Sequence, residues 1–182
     1  MSGCPFATAV HLLLVPKNQQ PAPVERIDAI DVQILTILQA DGRAKRKDIA
    51  EAVGLSLPSV SDRMRKLEER GVLTGYHAVV DPKRLHHDVT AFVAVVSAGS
   101  EHYAEFIAGV TAMDEVQELH SVTGDGSHML KVRVRNTTAL EGLLGRLQAL
   151  PGVRGTRTSL VLSTLKETRA LRTEPMALND DA

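Results

Sequence analysis

Cysteine occurs once in these 182 residues, at Cys4, so no intrachain disulfide framework can staple the chain. That usage fits a reducing compartment, and a cytoplasmic location is expected. No stretch approaches the ~18 consecutive apolar residues of a membrane helix. The apolar stretch Ala9 to Val15 is short, with no basic region before it and no small-residue cleavage site after it. Neither a membrane span nor a signal peptide is therefore expected. Tryptophan is absent, so indole fluorescence cannot report binding. Excess charge is absent too: the formal net charge is −1, and any attraction to a polyanion must come from local placement and from multiple copies. No P-loop, dinucleotide fingerprint or nucleophile–base signature occurs, so no enzyme and no cofactor are expected. His77, His86, His87 and Asp88 have neither a cysteine nor a His-x-x-x-His pair beside them. They read as solvated linker residues, and no metal site is expected.

What is present is punctuated clearly. Pro16, Pro21 and Pro23 interrupt any periodic pattern in residues 1–26, which read as a flexible tail. The apolar patch in that tail has three open readings: an added strand, packing on a partner subunit, or translation from an upstream start site.

From Ile27 to Tyr76 the pattern is helix, turn, helix, four-residue turn, basic helix and a short wing. Asp28 is a good N-cap, with Asp31 in capping-box position. Ile27, Ile30, Ile34, Leu35 and Leu38 recur at helical spacing, and Asp41-Gly42 stops that helix. A second helix is predicted from Arg46 to Val53, with Lys45, Arg46 and Lys47 at its start in place of a capping side chain. Gly54-Leu55-Ser56 makes the turn, Leu55 plugs between helices, and Ser56 caps a third helix whose first turn accepts Pro58.

That third helix, about Pro58 to Arg70, buries Val60, Met64 and Leu67. Its other face carries Ser59, Asp62, Arg65, Lys66 and Glu69, with Arg63 at the flank. Short polar groups near its N-terminus and longer basic ones behind suit insertion into a DNA major groove. Ser59 and Asp62 are candidates for base edges; Arg63, Arg65 and Lys66 for bases or phosphates. Charge supports this only modestly, since Arg43 to Arg70 holds eight basic residues against five acidic ones. A solvated helical module is the alternative. Gly71 ends the helix, and Val72-Leu73 with Tyr76 to Val80 are expected to pair as a wing hairpin.

The second half changes period. A strand is expected at about Val89 to Ser97, apolar on both faces. A helix capped by Ser100 follows to about Thr111, then strands at Val116 to Thr123 and Met129 to Val134. The next helix has Thr138 and Glu141 as a capping box and Leu140, Leu143, Leu144 and Leu147 as its inner stripe. A last strand runs about Thr156 to Leu162. This βαββαβ order is the ferredoxin-like arrangement. The apolar outer face of its first strand calls for a second subunit. The expected domains are a winged helix-turn-helix at 27–80, a linker at 81–87, a ferredoxin-like module at 88–166 and a tail at 167–182. The fold class is α+β.

The ordered set resembles the Lrp/AsnC (feast/famine) family of transcriptional regulators over about Ile27 to Lys166. The residues that carry the resemblance are Ile27-Asp28-x-x-Asp31-x-x-Ile34-Leu35, Asp41-Gly42-Arg43 and Ile49-Ala50-x-x-Val53-Gly54-Leu55-Ser56. They continue with Val60-x-x-Arg63-Met64-x-x-Leu67-Glu68-x-x-Gly71-Val72-Leu73, Val122-Thr123-Gly124-Asp125 and Leu130-Lys131-Val132. The resemblance implies double-stranded DNA as partner, homodimers assembling into octamers or similar rings, and a small effector, commonly an amino acid. The implied effector loop spans Thr123, Gly124, Asp125, Gly126, Ser127 and His128; glycines there let backbone N–H groups approach a carboxylate. The family pattern often has an acidic residue where Ser127 stands and an aromatic one where His128 stands. A carboxylate there would pair with an amino acid's ammonium group, whereas Ser127 offers only a hydroxyl, although Asp125 could substitute. An architectural DNA-binding protein without effector remains the alternative, with the loop then merely a hairpin turn.

Overall fold

The computed structural model describes residues 27–99, 101–124 and 126–173. The expected N-terminal tail, the Ser100 cap, Asp125 and the last nine residues lie outside them. Two units are present, one built from residues up to His77 with the segment from Ala170, the other from Ala78 to Arg169.

The first unit is helical. α1 (Ala29–Ala40) starts where the Asp28 side chain accepts a 2.8 Å hydrogen bond from the Asp31 amide. Only half of a capping box forms, because the Asp31 carboxylate turns to Arg63 instead. α2 (Arg46–Val53) has the predicted bounds and no side-chain cap. Gly54 closes it at φ 68°, a left-handed conformation that glycine adopts without a Cβ penalty. α3 (Leu57–Glu69) is capped by Ser56, whose hydroxyl accepts from the Ser59 amide. Ile34, Ile49, Val60 and Leu67 are essentially inaccessible and form the centre of this core, with Leu55 packed at its edge.

The expected wing hairpin does not form as a paired ladder. Residues 72–80 contain no strand. Val79 is 99% exposed, and the Tyr76 hydroxyl turns back to donate to Glu68 on α3. A two-stranded ribbon with no apolar face to bury is marginal in water. Leu73 alone packs against the helical core.

The second unit is a four-stranded antiparallel sheet with two helices. Its elements are β1 (Val89–Ser97), α4 (Tyr103–Thr111), β2 (Val116–Ser121), β3 (His128–Val134), α5 (Thr137–Gln148) and β4 (Val153–Leu160). The strand order β2-β3-β1-β4 is that of a ferredoxin-like sheet. Alternation decides which face is buried. Ala91, Val93 and Val95 of β1 and Leu130, Val132 and Val134 of β3 point under the helices and meet Phe106, Val110, Leu143 and Leu147. Phe92 and Val96 point the other way, at 40% and 39% exposure.

Three local expectations are corrected. His102, without a side-chain cap bond, holds the N-cap position of α4. Asn136 caps α5, accepting at 2.8 Å from the Ala139 amide, so Thr138 already lies inside the helix and cannot box with Glu141. β4 begins at Val153, because pairing with β1 continues past an irregularity at Val96 and Ser97.

Candidate nucleic-acid interface and effector loop

α3 presents its candidate DNA-binding side chains by simple geometry. Val60, Met64 and Leu67 anchor one face in the core, which turns Ser59, Arg65 and Lys66 to the exterior. Ser59 bonds back to Ser56 through both its amide and its hydroxyl. The charges are prearranged. Arg65 reaches Asp62 at 2.5 Å and Glu69 at 2.7 Å. Lys66 reaches the second Asp62 oxygen at 2.8 Å. Those bonds from Lys66 and Arg65 hold the Asp62 carboxyl below its ordinary range. Both Asp62 oxygens are thus engaged, whereas a cytosine amine would need one of them.

Arg63 differs from its neighbours. Its Nη1 donates to Asp28 at 2.7 Å and to Asp31 at 2.8 Å. Those two carboxylates raise the guanidinium pKa. Desolvation pushes Asp28 up, but the Asp31 amide and Arg63 outweigh it and leave the carboxyl below its usual value. Sequence spacing placed Arg63 at the helix flank but offered no sign of a partner 32 and 35 residues away.

Lys45, Arg46 and Lys47 are exposed at the start of α2. They add positive charge where that helix N-terminus is already partly positive, a pairing that costs stability unless an anion approaches.

Among its described residues, the candidate effector loop is held mainly through backbone groups. Gly124 sits at φ 115°, a conformation closed to most side chains. The Ser127 amide donates to the Val95 carbonyl at 2.9 Å. The Ser127 hydroxyl accepts from the Ser97 amide at 3.3 Å. Its carbonyl accepts from Val122. Thr123 and Gly124 are exposed and Gly126 is half-buried. His128, expected in the loop, is instead the first residue of β3. It is 3% exposed, its ring 4.7 Å from Phe106 and 5.6 Å from Tyr103. The cavity beside it, bounded by His102, Tyr103 and Gly152, measures about 10 Å³. That is room for one water at most and none for an amino acid.

On the outer sheet face, Lys131 and Arg133 are joined by Glu167, with an Arg133–Glu167 distance of 2.8 Å. Glu118 also reaches Lys131 at 3.3 Å and His120 at 3.2 Å. Residues 167–173 are expected from the sequence to be tail. They carry contacts: the Leu171 amide donates to Gln39 at 2.6 Å and its carbonyl accepts from the same side chain. No group of three or more potential metal ligands occurs among the described residues, and none of their helices is long and apolar enough to cross a membrane.

Known proteins share this arrangement. The winged helix-turn-helix DNA-binding family matches residues 27–74 and the Lrp/AsnC ligand binding domain matches residues 90–171. The HTH-type transcriptional regulator FL11 of Pyrococcus horikoshii is 38% identical over 146 residues, covering 80% of this chain and 95% of that protein. The leucine-responsive regulatory protein of Haemophilus influenzae is 38% identical over 158 residues, covering 85% and 95%. Among solved structures, the feast or famine regulatory protein of M. tuberculosis complexed with L-methionine superposes with a TM-score of 0.74 at 38% identity, covering 79% of this chain and 97% of that one. Both halves of the chain are matched, in the order that its helices and sheet require, and the chain belongs to the Lrp/AsnC family of transcriptional regulators.

Proposed function

We propose that the chain regulates transcription by lowering α3 into the major groove of duplex DNA, as a homodimer that assembles further into an octamer or similar ring. A small effector of the amino-acid class tunes the assembly at the Thr123 to Ser127 loop. The observation that carries the DNA reading is the exposed Ser59, Arg65 and Lys66 face of a helix whose opposite face is locked in the core. Surface ion pairs such as Arg65–Asp62 contribute little to stability. Exchanging them for phosphates therefore costs little, and counterion release favours the exchange. Ser56 and the Lys45 to Lys47 cluster supply backbone contacts beside α3.

For the effector, the loop contributes exposed glycine backbone, and the adjoining cavity is far too small for an amino acid. The site is therefore completed by a second copy of the chain, which links effector binding to assembly. The exposed Phe92 and Val96 on the outer sheet face support a subunit contact there as well. No turnover, resident cofactor or metal is part of this reading, and the protein acts in the cytoplasm. The hydroxyl of Ser127, already bonded to the Ser97 amide, favours a second reading: DNA organisation without effector.

The test is a titration of the purified full chain into labelled DNA from upstream of its own gene, at fixed salt, with and without each amino acid. Specific binding shifted by one amino acid supports the sensor. Specific binding that none shifts supports the second reading, and no preference over unrelated DNA sinks both.

A further inference from the structure

We infer that Arg63 is not a DNA contact but a positioning residue that sets the roll of the recognition helix. The inference rests on the reading of α3 as the DNA-reading element. Three observations support it. First, one nitrogen of Arg63 bridges Asp28 at 2.7 Å and Asp31 at 2.8 Å, tying the N-terminus of α1 to the middle of α3. Secondly, the Asp31 side chain is 9% exposed, while the acids that pair with Arg65 and Lys66 are 44% and 59% exposed. An Arg63 that swung out to a phosphate would strand a nearly buried carboxylate, which is costly. Arg65 and Lys66 give up only solvated partners. Thirdly, Asp28 divides its two oxygens between capping α1 and holding Arg63, so the anchor is itself fixed to backbone.

The lever is geometric. A roll of about 20° would move a side-chain tip at the ~6 Å helix radius by about 2 Å, enough to break a hydrogen bond to a base edge. Phosphate attraction tolerates such a shift much better. Loss of the tie should therefore erode sequence discrimination more than bulk affinity.

The experiment compares Arg63→Gln, Asp28→Asn and the double variant with the natural chain. Asparagine still caps a helix, so Asp28→Asn removes the charge and leaves α1 capped. The probes are a duplex selected by the natural chain from a random pool and an unrelated duplex of equal length, each across a salt series. Both single variants are expected to weaken the selected duplex about fivefold or more and the unrelated one less than twofold. The slope of log affinity against log salt should stay unchanged, and the double variant should be no worse than Arg63→Gln alone. A slope reduced by about one phosphate's worth in Arg63→Gln would overturn the inference, as would undiminished discrimination in Asp28→Asn. Failure of the pool to yield a selected duplex would sink the groove reading instead. The tie itself is then read from melting temperatures: non-additive losses in the double variant support it, and additive losses overturn it.

Discussion

On α3 Asp62, Arg65, Lys66 and Glu69 stand in water, paired with one another; in the loop before β3 Ser127 is bonded into the backbone. Arg65, Lys66 and Asp62 are all solvent-accessible and change partners at little cost. Ser127 instead holds Val95, Ser97 and Val122 together through its amide, hydroxyl and carbonyl. A single chain therefore already presents the proposed DNA-reading surface, whereas the proposed effector loop would need a second copy of the chain to complete it. The contrast teaches that exposure of a side chain, rather than its type, decides whether it is available to a ligand.

The largest expected effects compare the two cores. Leu130→Ala in the sheet unit and Ile34→Ala in the helical unit each remove a side chain with no solvent exposure. Each should cost about 3 kcal/mol in urea denaturation. Loss of stability in one unit with DNA affinity intact would show that the units fold separately. Next, Lys66→Ala should weaken all duplexes about equally and lower the salt slope by about 1. A salt titration that leaves binding untouched would mean that α3 does not face the groove.

Ser127→Ala should destabilise the sheet unit by about 1 kcal/mol, because the Ser97 amide loses its acceptor. If stability is unchanged while an effector response is lost, the hydroxyl serves a ligand and the contrast with α3 fails.

The smallest effects appear in pH profiles. Partial burial and the Glu68 carboxylate push the Tyr76 phenol up to about 12. A group whose folded value is raised contributes stability that is complete below its unfolded value, ~10, and lost as pH rises through 12. The difference between the natural chain and Tyr76→Phe in thermal melts should therefore shrink between pH 10 and 12. At the acid end the sign reverses. Lys131 and Arg133 lower Glu167. For Glu118, desolvation is outweighed by His120 and Lys131, so it too is lowered. Their contribution is present above ~4 and is lost as pH falls through their folded values. Glu167→Gln should flatten that limb, which thermal melts from pH 5 to 3 would check.

Much of this was legible in the sequence wherever the signal was local. The bounds of α2 and β1 followed from periodicity and glycine punctuation, as did the caps at Asp28 and Ser56. The paired ladder expected in the wing is not formed: Val72, Tyr76 and Val80 have strand-forming character, but 36%, 45% and 55% of their surfaces stay exposed. The α5 cap was misread because Thr138 and Asn136 compete for the same role, and backbone direction favours Asn136. Among the candidate site residues, Ser59, Arg65 and Lys66 lie on one exposed face as spacing required. Arg63 bonds to Asp28 and Asp31 at the start of α1, and the His128 ring packs on Phe106 of α4. Nothing near Arg63 in sequence marks Asp28 or Asp31 as its partners, and nothing near His128 marks Phe106.

The sequence by itself determined the order of elements, the fold class and the face of α3 turned outward, because helical and strand periods dictate which side chains share a side. Only the tertiary structure decided which charged residue became a brace. It also decided which histidine was buried and which serine became part of the backbone network. Those outcomes depend on pairs brought together by packing across about 20 to 35 residues of chain, and packing distance is not encoded in any local pattern.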